Sequence, residues 1–159
     1  RTEILKKNLI ILNFNPKITN IDINNIEKKQ KYDFIILDAP CSAIGTIRKN
    51  PEIFYREKEP KLEELINIQK KMLDVASKIL KENGIILYMV CSFLKIETTD
   101  QINNFLLTNK NFSLNEFSFE NKNLLNNQFI KNKKMLVLPS VFNNYNIDGY
   151  FAVYLRKGV

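Results

Sequence analysis

The segment Tyr32-Asp33-Phe34-Ile35-Ile36-Leu37-Asp38 is an apolar run of strand length that stops on a carboxylate. Continuous rather than alternating hydrophobicity is the mark of a strand covered on both faces, which favours a parallel sheet flanked by helices. A second run, Ile85-Ile86-Leu87-Tyr88-Met89-Val90, also stops abruptly, on Cys91-Ser92. Between them, Leu62 to Lys81 has apolar residues at Leu62, Leu65, Ile66, Met72, Leu73, Ala76 and Leu80. That is a helical spacing, with Pro60 near its start and Asn83-Gly84 as its stop. Strand, helix and parallel strand make a right-handed crossover unit, so an open α/β sheet is expected.

The flanks complete this pattern. Residues 2–12 carry Ile4, Leu5, Leu9 and Leu12 at close to helical spacing, and Asn15-Pro16 should end that helix. Residues 17–22 suggest a short strand closing on Asp22, and 24–31 a polar surface connection. Glu97 to Leu107 looks helical, Phe112 to Phe119 alternates like a half-buried strand, and 121–134 is polar and loop-like. Residues 135–140 and 150–157 read as late strands, with Asp148-Gly149 as a turn before the last. The sheet should therefore end in antiparallel strands.

Composition narrows the chemistry. At 159 residues, with 45% apolar and 26% charged content, the chain suits one globular domain. No run approaches the ~18 apolar residues of a membrane span, and no signal peptide precedes Arg1, so a cytoplasmic setting is expected. A net charge of +7 favours a polyanionic partner, most simply nucleic acid. Histidine is absent, which removes the usual general base and the commonest metal ligand; no metal site is expected. Four glycines form no Gly-rich nucleotide loop. Chemistry must then rest on thiols, carboxylates, lysines or a cofactor.

Cys41 and Cys91 each fall just past the carboxyl end of a predicted strand. Parallel strands joined by one crossover helix often lie side by side, so both thiols and Asp38 should share one crevice. Three readings stand at this point: two small buried hydrophobes, a redox pair, or a nucleophile with a partner thiol. No C-x-x-C spacing supports the redox pair.

The stretch from Leu37 to Pro51, LDAPCSAIGTIRKNP, resembles the D-A-P-C-S-x-x-G…R-x-x-P motif of the Nop/Sun family of RNA cytosine-5 methyltransferases. LYMVCS, Leu87 to Ser92, is similar to the family's Y-x-T-C-S motif. LVLPS…DGYFAVYLRK is similar to its closing L-P…D-G-F-F motif. The wording around Arg48 and Pro51 is closest to the bacterial RsmB/Sun branch, which modifies 16S ribosomal RNA. The resemblance implies a Rossmann-like class I methyltransferase sheet with helices on both faces, using S-adenosyl-L-methionine on RNA. It implies Cys91 as the nucleophile on cytosine carbon 6 and Cys41 as the thiol assisting release of the base. Asp38, Pro40 and Asp22 would contact the cofactor, and Arg48 the RNA. Lys49, Lys70 and Lys71 are further candidates for a basic surface.

Two departures bear on that reading. Val90 replaces the family's usual threonine, and the Gly-rich cofactor loop with its N-terminal strands has no counterpart. Residues 1–159 are thus expected to be a partial catalytic domain, inactive in isolation, whose strand ending at Asp38 presents an unpaired edge. The alternative is a noncatalytic RNA-binding or assembly module derived from the same fold.

Overall fold

The computed structural model describes residues 2–27, 29–57, 60–117, 127–142 and 144–159. Helix α1 (Thr2–Ile11) precedes strand β1 (Tyr32–Asp38), helix α2 (Leu62–Ile79), strand β2 (Leu80–Val90) and helix α3 (Thr99–Thr108). Strands β3 (Phe112–Asn115), β4 (Ile130–Lys131), β5 (Lys134–Val137), β6 (Ser140–Phe142), β7 (Tyr145–Ile147) and β8 (Tyr150–Lys157) follow. The main sheet runs β1-β2-β8-β5-β4, with β3 also bonded to β8.

β1 and β2 are parallel, as the crossover pattern requires, with Ile36 opposite Leu87 and Leu37 opposite Tyr88. β8 returns antiparallel to β2, with Val90 opposite Phe151. Its far half pairs with β3 and its near half with β5, so one long strand anchors both late segments. β6 and β7 form a separate two-stranded hairpin.

Side-chain alternation assigns the faces. Leu37, Ile86, Tyr88, Val90, Phe151 and Val153 point into one buried cluster with Leu73 and Ala76 of α2 and Ile102 and Phe105 of α3. Phe105 also packs edge-on against Phe112 of β3, ring centroids 5.1 Å apart. The opposite face of β1 carries Phe34, 47% exposed, and Ile36, 59% exposed, and β1 ends the strand order, an edge among the described residues, as expected. α1 forms where its spacing predicts but buries none of its residues.

Three local expectations change. Residues 17–22 are not a strand: with no neighbouring strand to bond to among the described residues, they run as coil into a 3-10 turn at Ile23–Asn25. α2 stops at Ile79, because Leu80 turns extended at once and becomes the first residue of β2. Asn83, expected to stop the helix, instead adopts a left-handed φ of 62° inside an irregular stretch of β2, where the β1 register jumps from Tyr32–Leu80 to Phe34–Ile85. β3 ends at Asn115, and residues 118–119 and 121–126 of the expected strand and loop lie outside the described residues. No described helix is long and apolar enough to cross a membrane.

Candidate active site

Parallel pairing of β1 and β2 brings their carboxyl ends level, with Asp38 opposite Met89. Two residues beyond Met89, Cys91 leaves the strand on the same face as Asp38, the face opposite α2 and α3. The chain beyond Asp38 turns back over this end. There the Cys41 and Cys91 sulfurs lie 3.2 Å apart, fifty residues apart in sequence. Both thiols are half-buried and free.

Backbone contacts lock this turn. Ala39 N–H donates to the Met89 carbonyl, extending the β1–β2 pairing past Asp38. Ala43 takes a left-handed φ of 60°, a conformation costly for a residue with a Cβ, and the chain then enters the 3-10 turn Ile44–Thr46. Gly45 N–H donates to the Cys91 carbonyl at 3.0 Å, and Gly149 N–H donates to the Gly45 carbonyl at 2.7 Å. A Cβ on Gly45 would lie 2.1 Å from the Gly149 oxygen, so the approach requires glycine. All three sequence motifs therefore meet at one point.

Behind the thiols lies a polar network that sequence reading missed. Glu97 is wholly buried, and its carboxylate accepts hydrogen bonds from Ser42 N–H (2.8 Å) and from the Ser42 and Ser92 hydroxyls (2.6 Å each). Gln69, also wholly buried, donates to Glu97 at 3.2 Å and to the Pro40 carbonyl at 2.9 Å. The buried Tyr88 hydroxyl reaches the Glu97 carbonyl at 2.9 Å. The only signal in the sequence was a serine after each cysteine and a glutamate shortly after the second pair.

The two thiols are electrostatically unequal. The Cys41 thiol, hydrogen-bonding to Cys91, draws the Cys91 pKa down to about 7, against the opposing effects of burial and of Asp38 and Glu97. Cys41 is pushed strongly upward by that same bond, by burial and by the neighbouring negative charge. The pair therefore favours ionisation of Cys91 over Cys41. Tyr150, one step before Phe151 and hence across from Cys91, is raised to about 12 by burial and then by the charges of Asp38 and Cys91. It belongs to the same rim, which the sequence did not single out.

The other predicted residues fall as follows. Asp38 is exposed at the rim and Pro40 is exposed beside it. Asp22 is exposed at the head of the 3-10 turn, its carbonyl accepting from Asn25. Arg48 is engaged with Asp148, 3.2 Å from its carboxylate, which also takes Lys49 at 2.8 Å. Lys70 and Lys71 are exposed on α2. Lys70 lines a groove of about 480 Å³ between α2 and α3, which none of the rim residues lines. Val90 has no exposed surface and lies in the core cluster, because its side chain points to the opposite face from Cys91. A hydroxyl there would enter the core rather than the thiol rim. Asp38, the Cys91 thiolate and the Tyr150 hydroxyl make an anionic, oxygen- and sulfur-lined edge, a donor set suited to a cationic sulfonium and ammonium.

The sequence profile of the family described as 16S rRNA methyltransferase RsmB/F matches residues 1–156. Ribosomal RNA small subunit methyltransferase B of Shewanella oneidensis is 40% identical over 109 residues, 67% of this chain and 26% of that protein. The protein of the same name from Photorhabdus laumondii is 37% identical over 109 residues, 67% of this chain and 25% of that protein. The chain thus spans about a quarter of the length of these curated relatives. Among solved structures, NSun6 from Pyrococcus horikoshii, determined with SFG, superposes with a TM-score of 0.76 at 24% identity, over 99% of this chain and 38% of that one. The crystal structure of PH0851 gives a TM-score of 0.65 at 32% identity, over 79% and 26%. Together with the family match, these likenesses identify the mixed sheet as the Rossmann-like methyltransferase fold.

Proposed function

This chain belongs to the RsmB/F family of 16S rRNA methyltransferases, and on that premise we propose that it forms the thiol-bearing part of a catalytic domain that methylates carbon 5 of a cytosine in RNA, most simply small-subunit ribosomal RNA. The observation that carries the proposal is the 3.2 Å contact between Cys91 and Cys41 at adjacent parallel strand ends, with Cys91 drawn down to about 7. Carbon 5 of cytosine is a poor nucleophile. Addition of a thiolate at carbon 6 makes it one and divides a hard step into two.

The chain's residues divide the work. Cys91, ionised near neutral pH, forms the bond to carbon 6. S-adenosyl-L-methionine, when bound, supplies an electrophilic methyl for carbon 5. Cys41 stays protonated while Cys91 is anionic. Once the Cys91 sulfur is bonded to the base its charge is gone, and Cys41 can release its proton to water at the open rim, so that its thiolate then takes the one on carbon 5. Removal of that proton expels the Cys91 thiolate and restores the aromatic base.

Asp38 faces the cofactor's cationic end, with Pro40 shaping the turn beside it and Asp22 assigned to the adenine. SFG, an analogue of this cofactor, accompanies the NSun6 structure, which supports that choice. The family's Gly-rich cofactor loop has no counterpart in these 159 residues, so the isolated chain is proposed to be inactive. The target base must leave its stack to reach the rim, and Arg48 with neighbouring lysines would hold the backbone. A cytoplasmic setting goes with such a substrate.

The test is RNA carrying 5-fluorocytosine, incubated with S-adenosylmethionine and the full-length product in which these residues occur. The fluorine cannot be removed as a proton, so the adduct should persist on Cys91 as a denaturation-resistant band. Cys91→Ser should abolish it, while Cys41→Ser should let an adduct to ordinary RNA accumulate. An adduct kept by Cys91→Ser and lost by Cys41→Ser would reverse the roles, and no adduct in any form would sink the proposal.

A further inference from the structure

Glu97 is the only charged side chain buried among the described residues. Neither base addition nor methyl transfer uses it, and burying a carboxylate is costly unless its partners require the charge. Its partners are the residues that directly follow the two cysteines. Oε2 receives the hydroxyls of Ser42 and Ser92 at 2.6 Å each, and Oε1 receives the Ser42 N–H at 2.8 Å and the Gln69 amide at 3.2 Å. Four donors and no acceptor face it among these contacts. A neutral amide would present N–H groups to donors already aimed at it, so only a carboxylate satisfies all four.

The carboxylate stands on a different element from either thiol. It belongs to the 3-10 turn Lys95–Glu97, between β2 and α3. Tyr88 and Gln69 fix it from behind: Tyr88 bonds the Glu97 carbonyl, and Gln69 ties it to the Pro40 carbonyl next to Cys41. Both Cys-Ser dipeptides thus hang from a single oxygen, Oε2.

We infer that Glu97 is a positioning residue for the dithiol: by gripping Ser42 and Ser92 together, it sets the 3.2 Å separation at which the Cys41 thiol can donate to the Cys91 sulfur. This rests on the reading of Cys91 as nucleophile and Cys41 as its partner. It adds that their pairing is imposed from the buried side of the sheet rather than formed by the thiols themselves.

The sign of one measurement separates positioning from plain charge. Glu97 also acts directly on Cys91 through its negative charge, which disfavours a second anion, but this is a weaker influence than the Cys41 hydrogen bond. If Glu97 acted only by charge, Glu97→Gln would lower the pH at which Cys91 ionises. If it positions the pair, the Cys41 bond is broken and the midpoint rises.

The experiment is iodoacetamide alkylation of Cys91 in the full-length product in which these residues occur, read by mass spectrometry across pH 5.5–9.5 (from about three units below to about one unit above the ordinary thiol value of about 8.5), with folding checked by circular dichroism. In Glu97→Gln the alkylation midpoint is expected to climb from about 7 toward the ordinary thiol range, cutting alkylation at pH 7 roughly tenfold. Closure of a Cys41–Cys91 disulfide by diamide should slow in parallel. Ser92→Ala, which keeps the buried charge and removes one arm, should shift both in the same direction by less, and it decides alone if Glu97→Gln does not fold. A folded variant whose midpoint stays or falls, with diamide closure within about twofold of the parent, overturns the inference. Neither readout needs RNA or cofactor, so a failed methyl-transfer assay would leave it intact, and its own failure would leave Cys91 as nucleophile.

Discussion

Gly149 donates its N–H to the Gly45 carbonyl at 2.7 Å, and the Cα of Gly45 lies 2.9 Å from where a Cβ on Gly149 would stand. This contact joins the turn after Cys41 to the turn before β8, and Gly45 passes it on to the Cys91 carbonyl. Neither glycine has a positive φ; closeness of approach, not backbone freedom, demands them. Gly45→Ala would drive a methyl into backbone atoms that cannot rotate away. It should cost about 2–4 kcal/mol, a fall in Tm of roughly 5–15 °C for a chain of this size. Gly149→Ala, meeting Pro139 and Phe93 side chains as well as Gly45, should cost somewhat less. Thermal unfolding by circular dichroism checks both, and unchanged Tm values would mean that the three turns are not in contact in solution.

The inequality of the thiols fixes a pH dependence. Cys91 reacts as the thiolate, so its alkylation and its adduct formation should rise with pH through a midpoint of about 7 and level off roughly one unit higher. The first cause of its low pKa is the Cys41 thiol, so Cys41→Ala should move the midpoint upward, toward an ordinary cysteine. Cys41→Ser keeps a hydroxyl donor and should move it less. A midpoint near about 8.5 already in the parent chain would show the pair to be uncoupled.

The crossover unit was legible because two physical signals coincide in it: strand-length apolar runs and a helix of clear amphipathic period between them. Both thiols and Asp38 could be placed at one rim from that pattern alone, since parallel strands end on the same side. The Glu97 network was not legible. A glutamate, two serines and a glutamine carry no periodic signal, and Gln69 sits on the buried face of α2, where the pattern predicts an apolar residue. Tyr150 was hidden for a different reason: its place beside Cys91 depends on the β2–β8 register, which no local feature specifies. Residues 17–22 misled because β-propensity does not make a strand where, among the described residues, no neighbouring strand bonds to it.

Val90 illustrates how placement changes a residue's meaning. Facing the core with no exposed surface, it contributes packing against residues of α3 and β8 rather than anything at the thiols. Val90→Thr, restoring the residue common in the family, would bury a hydroxyl among apolar groups. It should therefore cost about 1–2 kcal/mol and leave the Cys91 alkylation midpoint unchanged. Urea unfolding and the alkylation profile together decide. A midpoint moved by this variant would show that the strand does transmit the side chain's chemistry to the rim.

Arg48 and Lys49 share one carboxylate, and that competition bears on RNA binding. Asp148 is held below the usual carboxylate range, first by its bond to Lys49, so it stays charged throughout the neutral region and keeps both cations engaged. Exposed ion pairs of this kind add little to stability, so Arg48→Ala should change unfolding free energy by less than about 1 kcal/mol. Its effect should appear in binding: one fewer phosphate is neutralised, and the log–log salt slope becomes shallower by about 0.7 on single-stranded RNA. Asp148→Asn should act in the opposite direction, removing a negative charge from the patch and releasing both cations to the backbone. Filter binding of the full-length product to a ribosomal RNA fragment at several salt concentrations separates these outcomes. Equal slopes for the parent and both variants would place the RNA path away from this side of the Cys41 turn.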